Sequence, residues 1–278
     1  MSEPLLDVRG LGVDYRGVRA LGDVSFQIRA RETLGLVGES GSGKSTLARA
    51  VLRLIPASRG QVLWRGMDLL RCDGATLRSQ RRELQIVFQD PVASLNPRMT
   101  VAGTLAEPLR IFERELTAVE RRVRIERMLT RVGLAASMLS RYPHELSGGQ
   151  CQRVAIARAM MLHPRLLVCD EPVSSLDVSI QGQIVNLLAD LQGEFGTSML
   201  FISHNLAVIR HISHRVAVIH DGNLIETASC DDLFAAPVHP YTRALLEAVL
   251  APIPVPVPVP ARVPVEVRDS DQSGREPE

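Results

Sequence analysis

A glycine-rich run, Gly38-Glu39-Ser40-Gly41-Ser42-Gly43-Lys44-Ser45-Thr46, follows without a break from Thr33-Leu34-Gly35-Leu36-Val37, and together they leave the chain few ways to fold. The five residues before the glycines are apolar almost throughout, the pattern of a strand buried on both faces of a parallel sheet. A helix is predicted from about Thr46 to Leu54. Strand, glycine turn and helix in that order are the context in which G-x-x-x-x-G-K-[ST] becomes a phosphate-binding loop. Glycines let the backbone curl until consecutive N–H groups face one anion. Lys44 can then reach the β- and γ-phosphates of a nucleotide, and the Ser45 hydroxyl can ligate Mg2+. An α/β nucleotide-binding fold is therefore expected.

Residues Leu5 to Ile28 read as antiparallel strands, because Val24-Ser25-Phe26-Gln27-Ile28 alternates apolar and polar while Gly10, Gly12 and Gly17 are turn signals. Leu84-Gln85-Ile86-Val87-Phe88 predicts a further strand, ending in Gln89-Asp90-Pro91. From about Pro91 to His163 the chain turns mostly helical. Leu116, Val119, Val123, Ile125, Met128, Leu129 and Val132 recur at helical spacing, with Gly133 as a C-cap. This stretch is expected to be a helical subdomain inserted between strands of the nucleotide fold. Its arginines (Arg121, Arg122, Arg124, Arg127, Arg131) are interleaved with Glu113, Glu115, Glu120 and Glu126, which reads as a solvated helix face rather than an RNA surface. The whole chain agrees: 32 Lys plus Arg against 31 Asp plus Glu, and 4% aromatic residues, offer neither a basic field nor stacking platforms for nucleic acid.

Arg165-Leu166-Leu167-Val168-Cys169-Asp170-Glu171 is another buried-strand pattern, tipped by two carboxylates. Asp170 is placed to hold Mg2+ through its water shell, and Glu171 points differently and can accept a proton from an attacking water. Met199-Leu200-Phe201-Ile202-Ser203 predicts a strand with His204 at its tip, where a histidine is either structural or within reach of a γ-phosphate. Leu146-Ser147-Gly148-Gly149-Gln150 precedes a helix beginning near Gln150, and its open N–H groups suit an anionic oxygen as well as an ordinary N-cap. Ser174-Ser175-Leu176-Asp177 opens another helix. His211 and His214 are read as surface residues rather than metal ligands. Val216 to His220, Asp221-Gly222 and Asn223 to Glu226 form a hairpin signature. After Leu250 a Pro-Val repeat favours polyproline geometry and the polar end is expected to be disordered. The expected division is a folded body over residues 1–250, with its helical subdomain at about 91–163, and a tail over 251–278. The start has no basic and apolar leader pattern, and no uninterrupted apolar run reaches the length of a membrane span. Cys72, Cys151, Cys169 and Cys230 are scattered without Cys-x-x-Cys spacing, as in a reduced cytoplasmic protein.

The order of phosphate loop, Gln89, Leu146 to Gln150, Asp170-Glu171, Asp177 and His204 resembles the ATP-binding subunits of ABC transporters over nearly all of residues 5–250. The resemblance implies a P-loop NTPase fold with an N-terminal antiparallel β subdomain and an inserted α-helical subdomain. It implies ATP and Mg2+ as cofactors. It also implies two subunits stacked head-to-tail, each ATP lying between the phosphate loop of one and the signature loop of the other. Under it, Tyr15 looks like the aromatic that stacks on adenine, and Gly38, Glu39, Ser40, Gly41, Ser42, Gly43, Lys44, Ser45 and Thr46 like the ATP-binding loop. Ser45, Gln89 and Asp170 look like Mg2+ ligands, Gln89 also like the permease sensor, Glu171 like the catalytic base and His204 like the switch histidine. Ser147, Gly148, Gly149, Gln150 and Asp177 look like the residues that reach the partner's ATP. Asn205 departs from the pattern, since an aspartate often follows that histidine.

Tyr142-Pro143-His144-Glu145, Gly149 to Arg153, Ser175 to Gln181 and His239-Pro240-Tyr241-Thr242-Arg243-Ala244-Leu245-Leu246 are similar to the oligopeptide/dipeptide (and nickel) importer branch. That similarity implies a second, related ATPase chain, two transmembrane permease subunits and an extracytoplasmic solute-binding protein, with this chain peripheral on the cytoplasmic face of the membrane. Many members continue into a cysteine-containing extension linked to an iron–sulfur cluster. The Pro-Val tail stands in its place here, so no such cluster is expected, and Cys151 follows the branch pattern and is not read as a redox site. The expectation is an ATPase subunit that energises import of peptides or a related small solute. A nickel importer subunit and the ABC-like component of a carbon–phosphorus bond-cleaving complex share much of the pattern and stay open. A soluble ABC ATPase of repair or translation would need a coiled-coil insert or a tandem cassette.

Overall fold

The computed structural model describes residues 3–15 and 17–250. The expected Pro-Val tail and polar end lie outside the described residues.

The chain begins β1 (Leu6–Tyr15), β2 (Val18–Ile28), β3 (Thr33–Val37), α1 (Lys44–Val51), β4 (Arg59–Trp64), β5 (Met67–Asp68), α2 (Gly74–Gln80) and β6 (Leu84–Val87). Four helices follow, α3 (Pro91–Ser94), α4 (Val101–Phe112), α5 (Ala118–Arg131) and α6 (Gly148–Met160). The remainder is β7 (Leu166–Asp170), α7 (Val178–Phe195), β8 (Ser198–Ile202), α8 (Leu206–Ile212), β9 (Arg215–His220), β10 (Asn223–Ser229), α9 (Cys230–Ala235) and α10 (Pro240–Leu250).

These strands make two sheets. One is antiparallel in the order β2-β1-β4-β5; the other runs β10-β9-β3-β8-β7-β6, parallel from β9 to β6 with β10 as an antiparallel edge. The central strands β3, β7 and β8 are buried at every position because alternate residues enter different cores. Leu34, Leu36, Leu166, Val168, Leu200 and Ile202 join Leu47 and Val51 of α1 and the inner face of the antiparallel sheet. Leu167, Cys169, Met199, Phe201, Val216 and Val218 join Ile156 of α6 and Leu188 of α7. Each such side chain contributes about 1.5–3 kcal/mol when fully buried.

Gly10 and Gly12 do not make the expected turns. They lie inside β1 at shifts of its pairing register, where extra residues are absorbed as bulges that twist the strand pair. Only Gly17 falls between β1 and β2. Helix α1 starts at Lys44, two residues before the expected boundary, because Gly43 at φ 101° turns the chain straight into it.

Helices α3 to α6 all lie between β6 and β7. A capping box of Thr117 and Glu120 opens α5, and Gly133 at φ 72° follows its C-cap Val132. Ile125, Met128 and Leu129 of α5 are buried, whereas Val119 and Val123 are 73% and 40% exposed, so the apolar stripe enters the core only in the later turns. Two of its arginines are structural rather than merely solvated. Arg124 and Arg82 both pair with the buried carboxylate of Glu113, and Arg131 pairs with Glu194 while lying 5.2 Å over the ring of Phe195. They tie α5 to the end of α4 and to α7. No helix among the described residues is long and apolar enough to cross a membrane.

Candidate functional site

Parallel strands end their carboxyl termini at one sheet edge, and four neighbouring strands deliver the polar residues there. The phosphate loop leaves β3, Gln89 follows β6, Asp170-Glu171 tips β7 and His204 follows β8. At that edge lies a cavity of about 900 Å3, lined among others by Ser40, Gly41, Gly43, Lys44, Ser45, Thr46, Gln89, Glu171 and His204.

Lys44 is buried at its base. Its Nζ donates to the carbonyls of Gly38 (2.9 Å) and Glu39 (2.7 Å), which hold the ammonium inside the loop. Burial pushes its pKa below the ordinary lysine value, against the charges of Glu171, Asp170 and Glu39. Ser45 Oγ donates to Asp170 Oδ1 at 2.8 Å, joining the loop to β7. Burial raises the Asp170 pKa, opposed by that hydrogen bond and by Arg49 and Lys44. Hydroxyl, carboxylate and amide oxygens are the hard donors a Mg2+ ion takes, so Ser45, Asp170 and Gln89 fit such an ion chemically.

Glu171 has φ 48°, a left-handed backbone that a residue with a Cβ adopts at a cost of about 1–3 kcal/mol. Its N–H donates to the Ile202 carbonyl (3.1 Å), and its own carbonyl accepts from Ser174 Oγ (3.1 Å). This turn separates its side chain from that of Asp170. Glu171 Oε2 sits 3.5 Å from Gln89 Nε2 and 3.2 Å from His204 Nδ1, so three strand ends converge on one carboxylate. Beside a phosphate-binding loop, such a carboxylate is placed to take a proton from water.

The other expected site residues stand apart. Tyr15 ends β1 and is 46% exposed; it pairs with Val18, which lines the cavity together with Arg19 and Ala20, but Tyr15 itself does not. Gly38 and Glu39 lie behind the loop as acceptors for Lys44, and the buried Ser42 hydroxyl has no hydrogen-bond partner among the described residues. Ser147 to Gln150 lie away from the cavity. Ser147 Oγ accepts from the Gln150 N–H (3.2 Å) and Gln150 Oε1 from the Ser147 N–H (2.9 Å), a reciprocal cap of α6. The first helical N–H groups, on Gly148 and Gly149, have no intrahelical acceptor. Asp177 is the N-cap residue of α7, yet its exposed carboxylate makes no capping bond.

Sequence reasoning missed Val18, Arg19, Ala20, Ser174, Ser175, Asp221 and Gly222 as lining residues. The Asp221-Gly222 turn was legible, with φ 44° and 74°, but only the fold brings it to the loop, where the Gly222 N–H donates to the Ser42 carbonyl (3.1 Å). Ser174 and Ser175 read as capping residues; Ser175 Oγ instead donates to the Gln89 carbonyl at 3.4 Å. Asn205 Oδ1 accepts from the N–H groups of Ala207 and Val208, so the departure from aspartate keeps a cap on α8. His214 Nδ1 accepts from the Thr33 N–H, and His211 Nε2 meets Asn186 Oδ1.

The family model described as ABC transporter matches residues 21–174. The oligopeptide transport ATP-binding protein OppF of Haemophilus influenzae is 49% identical over 264 residues, covering 90% of this chain and 80% of that protein. OppF of Salmonella typhimurium is 52% identical over 235 residues, covering 84% of this chain and 70% of that protein. A dimeric ATP-binding cassette solved with ADP and Pi, MJ0796, superposes with a TM-score of 0.75 at 28% identity, covering 81% of this chain and 98% of that chain. A convergent carboxylate behind a phosphate loop, and relatives this similar over most of their length, lead to one family: the chain belongs to the ABC transporters and is one of their ATP-binding domains.

Proposed function

We propose that this chain hydrolyses ATP to drive an importer of oligopeptides, acting on the cytoplasmic face of the membrane. One observation carries the chemistry: Glu171 meets Gln89 and His204 at the mouth of the cavity that Lys44 and Ser45 line. The cargo class rests on the half-identity to OppF proteins of two bacteria.

The N–H groups of residues 41–46 and the Lys44 ammonium bind the phosphates, and Tyr15 packs on the adenine from the rim. Ser45, Asp170 and Gln89 would hold Mg2+, which would supply neutralisation of phosphate charge. Glu171 accepts the proton of the attacking water while His204, hydrogen-bonded to it, reaches the γ-phosphate. The open N–H groups of Gly148 and Gly149, with Ser147, Gln150 and Asp177, complete the site of a second ATPase chain. Residues 91–163 form the helical subdomain that meets the permeases, within a folded body of residues 1–250. Two permease subunits and an extracytoplasmic binding protein supply the path and the cargo selection.

A tagged Glu171→Gln chain, purified with ATP from its own membranes, tests both halves of this reading. Two permeases and a binding protein should co-purify, and ATP should bind while phosphate release falls about 100-fold or more relative to the native assembly. Recovery of soluble enzyme subunits alone would overturn the transport role in favour of the carbon–phosphorus cleavage context. Near-native turnover would overturn the base assignment.

A further inference from the structure

The segment His239-Pro240-Tyr241-Thr242-Arg243 has no part in the chemistry above, yet it reaches the phosphate loop. Tyr241, in the first turn of α10, accepts a hydrogen bond through its hydroxyl from the Glu39 N–H at 3.1 Å. That N–H shares a peptide unit with the Gly38 carbonyl, which accepts from Lys44 Nζ at 2.9 Å. A peptide unit is planar, so holding its N–H edge also aims its C=O edge. The tyrosine ring stacks on His220, centroids 4.0 Å apart, at the end of β9 just before the turn whose Asp221 and Gly222 line the cavity. Its place is fixed from behind as well. The Tyr241 N–H donates to His239 Nδ1 (3.1 Å), and Glu226 of β10 accepts from the N–H groups of Val238 (2.8 Å) and His239 (2.9 Å).

We propose that Tyr241 is a positioning residue for ATP: by fixing the Gly38–Glu39 peptide it sets where the Lys44 ammonium stands for the phosphates. The lysine stem is flexible, and the two loop carbonyls are what hold its charged end. With the Tyr241 acceptor gone, the peptide can rotate and the ammonium loses a fixed point. The inference rests on the proposed ATP site, and the experiment separates the two.

Equilibrium binding of a fluorescent ATP analogue to the full chain is measured for the native protein, Tyr241→Phe, Lys44→Ala and the double variant. Phenylalanine keeps the stack on His220 and removes only the acceptor. Tyr241→Phe should weaken binding about threefold to tenfold, on the scale of one ordinary hydrogen bond, while the nucleotide-free protein stays folded and melts within about 2–4 °C of the native one. In the assembled transporter the KM for ATP should rise while kcat at saturating ATP holds. In the Lys44→Ala background the same change should add no further loss, because its effect runs through that lysine. Native affinity in Lys44→Ala would overturn the ATP site itself. Loss in Lys44→Ala with native affinity in Tyr241→Phe, or additive losses in the double variant, would overturn the inference alone.

Discussion

Asp170 and Glu171 are adjacent carboxylates with opposite surroundings. Asp170 is buried and bonded to Ser45, whereas Glu171 turns through a left-handed backbone to meet Gln89 and His204. Burial raises the folded-state pKa of Asp170 above its ordinary 3.8, so the folded chain holds this proton more tightly than the unfolded chain does. The stability this contributes is fully present below the unfolded value and is lost as pH rises through the folded one. Asn cannot ionise and can still accept from Ser45. Asp170→Asn should therefore melt above the native protein near neutral pH without nucleotide, the gap closing as pH falls toward 3.8. Thermal melts across pH check this, and a gap of constant size at every pH would exclude burial of the charge as its cause. The placement of both acids at a strand tip was legible in the sequence because the buried-strand pattern runs straight into them. The left-handed turn at Glu171 was not, since no glycine or asparagine marks it. Tyr241 was legible only as part of a similar segment, because its bond to the loop spans 202 positions of chain.

At the scale of elements, the signature loop and the segment after Glu171 share an edge. A Cβ on Gly149 would lie 2.9 Å from Ile180 Cγ2 of α7, too close unless something shifts, whereas one on Gly148 would meet Leu176 at an ordinary 3.6 Å, so the tight approach of α6 to α7 is at Gly149. Gly149→Ala should force the two helices apart and cost about 1–3 kcal/mol of stability by overpacking. Ile180→Ala alone should also cost stability, but less in the Gly149→Ala background than in the native one, a coupling that denaturant titration of both single variants and the double variant would reveal. Additive losses would locate the cost of Gly149→Ala elsewhere. Close approach of this kind leaves no mark on a single sequence, and several other element-level departures have the same origin. The bulges at Gly10 and Gly12 depend on the pairing of β1 with β2 and β4. The exposure of Val119 and Val123 depends on how far α5 projects past its neighbours. Arg124 and Arg131 became anchors because Glu113, Glu194 and Phe195 arrive from other elements. What periodicity could supply, it supplied: β3 keeps its expected bounds, and β6 and β7 come within a residue of theirs.

The whole molecule presents two halves of different sites. One region carries the cavity lined by the phosphate loop and Glu171, and another carries open helix N–H groups and an Asp177 without a capping bond. On the proposed reading such a surface is completed by another ATPase, either a copy of this chain or, as the importer-branch resemblance implies, a related one. Subunit mixing distinguishes them. Lys44→Ala disables the cavity of the chain that carries it, whereas Ser147→Arg places a bulky cation at the start of α6 and disables the site across the interface while leaving ATP binding to its own chain. If two copies of this chain paired, neither variant alone would retain an intact site. A mixed pair would regain one, the cavity of the Ser147→Arg chain facing the signature loop of the Lys44→Ala chain. If the partner is a different chain, each transporter holds a single copy of this one, and mixing mends nothing. Transporters assembled from equal amounts of both variants should then release phosphate at the mean of the two separate rates. A rate above both would establish that this chain pairs with itself.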